Sequence, residues 1–111
     1  MGIGSAVNTH LMYDTIHHEH LDVLVFWATG DFPEAGLCLA ECADGRWFVE
    51  VDHGVEFDEL DGISKPNVTP FEEPKFFADE IGARDFAVSC IKLVYPELED
   101  RDLSEYFSDD G

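Results

Sequence analysis

Leu37-Cys38-Leu39-Ala40-Glu41-Cys42-Ala43-Asp44-Gly45-Arg46-Trp47-Phe48-Val49-Glu50-Val51-Asp52 decides the fold. Two runs rich in β-formers flank Asp44-Gly45, a dipeptide suited to a two-residue type I′ turn because both central positions there need positive φ. Such a turn pairs Ala43 with Arg46, Cys42 with Trp47, Ala40 with Val49 and Cys38 with Val51. The register predicts a core face of Cys38, Ala40, Cys42, Trp47, Val49 and Val51, small residues opposite large ones. Glu41, Glu50 and Asp52 fall on the outer face beside Leu37, Leu39 and Phe48.

Outward from the hairpin, Leu21-Asp22-Val23-Leu24-Val25-Phe26-Trp27-Ala28 is apolar on both alternating faces after Asp22 and reads as a central strand, broken by Gly30-Asp31-Phe32-Pro33. After Asp52-His53-Gly54, Val55 and Phe57 alternate with Glu56 and Asp58 as a third hairpin strand with an acidic outer face. Gly62 to Pro70 is a loop. Thr69-Pro70-Phe71-Glu72 has the capping-box pattern, and Pro74 is an equal candidate for the first helical position. The helix that follows carries a stripe of Phe76, Ala83, Ala87, Cys90 and Val94, widened by Phe77, Ile81 and Ile91. Gly82 weakens its middle and Pro96 stops it. Leu103, Tyr106 and Phe107 mark a short acidic terminal helix. Residues 5–18 favour helix slightly. The expected fold is α+β: an antiparallel sheet of three to four strands with one main helix on one face, in a single domain spanning residues 1–111.

Charge bounds the function. Among 111 residues, 25 are acidic and 6 basic, a net charge of -19, while 45% are hydrophobic and nine are Phe. That apolar content builds a core, which separates the chain from disordered acidic tails. The charge excludes DNA, RNA and anionic membranes as direct ligands unless metal ions intervene, and favours cations or a strongly basic protein surface. No apolar run reaches the ~18 residues of a membrane span. The N-terminus shows no basic region followed by an apolar one, so the three cysteines are expected as thiols in a reducing cytoplasm.

The excess is uneven. Residues 31–65 carry -8 and residues 96–111 carry -6. The candidate partner-binding residues are therefore Glu56, Asp58, Glu59 and Asp61 in one segment, and Glu97, Glu99, Asp100, Asp102 and Glu105 in the other. Tyr106 and Phe107 are candidate aromatic anchors among those carboxylates. The total charge of -19 equals that of about 32 Å of duplex DNA. A domain of this length has a diameter of roughly 34 Å.

Other chemistry finds little support. Cys38 and Cys42 in one strand stand ~13 Å apart, beyond disulfide reach and too far for a shared zinc site. They and Cys90 read as small core residues. His17, His18 and His20, with Glu19 and Asp22, are the best metal-like cluster, which His10 and His53 could join, but the spacing fits no zinc motif. Imidazoles 17 and 20 share a face in a helix, and 18 and 20 in a strand. The pairs Asp58/Asp61 and Asp100/Asp102 are chance pairs in so acidic a chain. No EF-hand, phosphate loop, Ser-His-Asp order or H-E-x-x-H occurs. No catalytic residue and no cofactor is expected. Asn67-Val68-Thr69 fits the glycosylation pattern, but Pro70 follows it.

In size, charge and lack of catalytic motifs the chain resembles the small acidic inhibitors that phages direct against restriction enzymes and CRISPR complexes, the DNA mimics and anti-CRISPR proteins. The resemblance implies a non-enzymatic inhibitor that occupies a basic, nucleic-acid-binding surface of a host defence complex in the host cytoplasm and blocks DNA binding or recruitment. It carries over no individual residue. Two other readings stand beside it. Scarce lysine fits a protein adapted to high salt, and the His17–His20 cluster fits a metal-binding protein.

Overall fold

The computed structural model describes residues 8–68 and 70–108. Its elements run in the order α1 (Thr9–Met12), β1 (Thr15–His20), α2 (Asp22–Thr29), β2 (Gly36–Cys42), β3 (Trp47–His53), α3 (Glu80–Val94), a 3₁₀ turn (Pro96–Leu98) and α4 (Ser104–Ser108). The three strands form one antiparallel sheet in the order β1-β2-β3. The fold is thus α+β, with a main helix and a short C-terminal one.

The β2–β3 hairpin forms where the sequence puts it, but one residue out of the expected register. Leu37 faces Val51, Leu39 faces Val49 and Ala40 faces Phe48. The loop has three residues: Cys42 N donates to Arg46 O at 2.8 Å, and Gly45 N donates to Cys42 O at 2.9 Å. Gly45 takes the left-handed conformation (φ +95°) that closes a three-residue loop and leaves a bulge. Asp44 favours it, accepting from Arg46 N at 3.1 Å and pairing with Arg46 Nε at 2.9 Å. A one-residue slip exchanges the partners across the sheet. Leu37, Leu39, Trp47, Val49 and Val51 therefore share the main core, while Ala40, Cys42 and Phe48 pack on the other face with Tyr13, Phe71 and Phe76. The expected core face mixed these two sets, because both faces of the hairpin are covered.

The run expected as a strand forms the helix α2 (Asp22–Thr29), with Leu21 at its N-cap. Leu21, Leu24 and Val25 are buried and Ala28 is half-buried, the i, i+3, i+4, i+7 stripe of a helix, while Val23, Phe26 and Trp27 are exposed. Asp22 opens the first turn, and Gly30 ends the helix at φ +88° with its N–H on Phe26 O at 2.7 Å. The third strand is not Val55–Asp58 either. That segment is a set of turns with Phe57 buried and Val55 exposed, fastened by Lys65 Nζ donating to the carbonyls of Asp58 (2.8 Å) and Leu60 (2.6 Å). β1 joins the opposite edge instead. Helix in the 5–18 region is confined to α1 among the described residues, and Asp14 turns the chain into β1 at φ 55°.

α3 begins later than the sequence suggests. The candidate cap Thr69 lies outside the described residues. The segment from Pro70 to Phe76 is not helical, and Phe77 exchanges backbone hydrogen bonds with Trp47 (2.8 and 2.9 Å), extending pairing beyond β3. The N-cap is Asp79, whose carboxylate accepts from Gly82 N at 2.9 Å. Gly82 therefore sits in the first turn, where it does not split the helix. Ala83, Ala87, Cys90 and Ile91 face the core, but Ile81 is exposed. Pro96 follows the last turn and starts the 3₁₀ turn, as its missing N–H requires. All three cysteines are free and buried. Among the described residues no helix is long and apolar enough to cross a membrane.

Candidate functional site

Two regions concentrate chemistry. The first is acidic and is organised around Tyr95. Its hydroxyl donates to Ala35 O and accepts from Ala35 N, both at 3.3 Å, and its ring meets Phe57 at 6.4 Å. Burial raises the Tyr95 phenol pKa first, and the charges of Glu56, Glu34 and Glu97 raise it further. Glu34, Glu56 and Glu97 each adjoin a residue at this phenol, namely Ala35, Phe57 and Pro96, so three separate segments bring carboxylates to one acidic end. Phe57 and Leu98, both buried, anchor the two acidic segments there. Glu56, Glu59 and Asp61 are exposed and Asp58 is half-buried. Asp58, Glu59, Asp61 and Glu72 line a cavity of about 260 Å³ around Lys65.

The C-terminal segment divides. Glu97, Glu99, Asp100, Asp102 and Glu105 are all exposed. Glu97 joins the Tyr95 group, whereas Asp102 lines a groove of about 500 Å³ between α3 and residues 102–107, together with Arg84, Lys92 and Phe107. Tyr106 and Phe107 are half-buried. Tyr106 packs edge-on against Trp27 (5.6 Å) and Phe107 (5.3 Å), and the Arg84 guanidinium lies 4.2 Å above the Phe107 ring. Glu34 was not among the sequence candidates, because it stands alone beside Pro33, and only the fold carries it to the acidic end.

Of the cationic side chains, Lys65 sits against the acidic 56–61 segment and Lys92 lines the groove with Asp102. Arg46 pairs with Asp44 at 2.9 Å and Arg84 with Glu80 at 3.1 Å, both elsewhere. Lys65 is held by backbone carbonyls, and Arg101 donates to Ala28 O at 2.8 Å while lying 5.1 Å from the Trp27 ring centre. Lys75 stands over Phe77 at 5.4 Å.

The second region is the sheet face opposite α3. Because residues 15–20 are a strand, His18 and His20 share this face and His17 does not. The expected cluster of His17, His18 and His20 is therefore divided. His10, on α1, takes the place of His17, its ring 4.3 Å from that of His18. His20 Nδ1 lies 3.0 Å and His53 Nδ1 3.5 Å from the same Asp52 oxygen. Burial lowers the His18 pKa, and His10 adds to the effect. Glu19 leans towards Glu80 and Arg84; burial, then the Glu80 charge, raises its carboxyl pKa. Glu50, expected on an outer face, is buried at 6% exposure and accepts from the hydroxyls of Thr9 and Ser64. His10, His18, His20, Cys38, Glu50 and Asp52 line a cavity of about 380 Å³. The Cys38 thiol pKa is driven far up by burial, with Glu50 the next cause.

No protein-family model, curated protein or solved structure matches the chain.

Proposed function

We propose that the protein is a non-enzymatic inhibitor: its acidic end docks on the basic, nucleic-acid-binding surface of a host defence complex, of the CRISPR or restriction type, and excludes DNA. The observation that carries this reading is the packing of Tyr95 against Ala35 and Phe57, which brings the chain segments of Glu34, Glu56 and Glu97 together. The chain has a net charge of -19, and duplex DNA as long as the 43 Å that the described residues span carries about 25 charges. Fields of this strength steer association with a cationic groove and raise its rate at low ionic strength. Buried thiols fit a site of action in a reducing cytoplasm.

The test is capture from a bacterial lysate that contains such defence complexes, using the full chain and its triple variant Glu34→Lys/Glu56→Lys/Glu97→Lys as baits. The native chain retains a basic nucleic-acid-binding protein that elevated salt releases, and the folded variant does not retain it. Equal capture by both baits, or capture of no basic protein, contradicts the reading.

A further inference from the structure

We infer that His10, His18 and Glu50 form a binding site for one divalent transition-metal ion of the Zn²⁺ class. Each offers one ligand atom, and those atoms lie within 4.8 Å of one another. Two observations point independently to a ligand. His18 Nε2 is buried and has no hydrogen-bond partner among the described residues. Glu50 is a carboxylate at 6% exposure whose hydrogen bonds come from two neutral hydroxyls, and none of the ion pairs among the described residues includes it. Buried polar atoms are normally hydrogen-bonded, and buried charges are paired or coordinate a metal. A single cation between these groups satisfies both.

The surroundings orient the ligands. Thr9 Oγ1 and Ser64 Oγ both bond the same Glu50 oxygen, Oε2, which leaves Oε1 to coordinate. Thr15 Oγ1 lies 3.2 Å from His10 Nδ1, which fixes that ring and leaves Nε2. Such outer partners set the ring orientation and basicity of metal-bound imidazoles. Two imidazole nitrogens with one carboxylate oxygen suit Zn²⁺, Co²⁺ or Ni²⁺, and not Ca²⁺ or Mg²⁺, which take oxygen ligands. Three protein ligands leave a fourth position facing the cavity that His20 and Asp52 also line. The neighbouring group Asp22, Asp52 and His53 is half-buried or exposed, and Asp52 already serves two imidazoles. This site does not depend on the acidic-end reading.

The test uses the tag-free full chain, stripped with chelator and titrated with Zn²⁺ by calorimetry and with Co²⁺ by visible absorption. One Zn²⁺ binds per chain at micromolar or tighter Kd, and Co²⁺ gives the intense bands of a four-coordinate site. His10→Ala, on the exposed face of α1, and His18→Ala each weaken Zn²⁺ binding at least tenfold with the far-UV circular dichroism unchanged. Glu50→Gln, which keeps an oxygen for Thr9 and Ser64, does the same. Thr15→Val weakens it several-fold. His17→Ala, on the other sheet face, leaves it intact. Absence of stoichiometric binding, binding that survives both His10→Ala and His18→Ala, or equal loss with His17→Ala overturns the assignment.

Discussion

Cys38 faces Glu50 across the hairpin, with both side chains buried on the sheet face opposite α3. Neither neighbour was legible from alternation alone. The strand pattern separates odd from even residues correctly, but Gly45 adds a residue to the loop and so decides which set Glu50 joins. A glutamate in a strand reads as solvent-facing; only Thr9 and Ser64, distant in sequence, make its burial tenable. The cysteines were legible as small core residues. Burial pushes the Cys90 thiol up to about 11 and raises Cys38 and Cys42 as well. All three therefore remain protonated and shielded at pH 8, where a thiol-reactive dye labels the native protein slowly and the denaturant-unfolded protein fast; fast native labelling contradicts their placement. Since the folded-state pKa of Cys90 is raised, its contribution to stability is complete below about pH 9 and declines as pH rises towards 11. Denaturant midpoints measured from pH 8 to 11 should fall accordingly, and Cys90→Ala should flatten part of that fall.

At the scale of elements, α2 and β1 show where local pattern stops being decisive. Val23, Leu24, Val25, Phe26 and Trp27 have strand-like composition, and the six-residue apolar run from Val23 to Ala28 fits either period. Leu24 and Val25, adjacent in sequence, both face the core, which a helix allows and a half-buried strand does not. Leu24→Ala should cost about 2–5 kcal/mol in chemical unfolding, and Val23→Ala only about 0.5 kcal/mol. Comparable losses at both positions would contradict the helix. Residues Thr15–His20 lack an apolar stripe, so their pairing is imposed by β2 and not by their own pattern. The main helix was legible from Ala83, Ala87, Cys90 and Pro96, but its start was not. Pro70 and Pro74 imitate N-terminal signals, whereas Asp79 bonds Gly82 N at 2.9 Å. Asp79→Ala should lower stability by about 1 kcal/mol, and Glu72→Ala should leave it nearly unchanged.

At the scale of the molecule, the charge imbalance was plain in the sequence, while its gathering was not. Glu34, Glu56 and Glu97 are separated by more than twenty residues at each step, and their segments come together because Phe57, Tyr95 and Leu98 pack into one core. Self-repulsion of 19 net charges is screened by salt within a Debye length of about 10 Å at 0.1 M. Added KCl should therefore raise the unfolding temperature. The chain should nevertheless be folded at low salt, since Phe48, Phe57, Leu21, Leu24 and Leu39 are completely buried. A fold that appears only in molar KCl would favour salt adaptation over inhibition. The most direct measurement of the central claim is displacement of labelled duplex DNA from the captured basic partner. The native chain should release the DNA stoichiometrically, with an association rate that falls steeply as salt increases, and Glu34→Lys/Glu56→Lys/Glu97→Lys should release none. A ternary complex holding the partner, the duplex and the native chain together would contradict it.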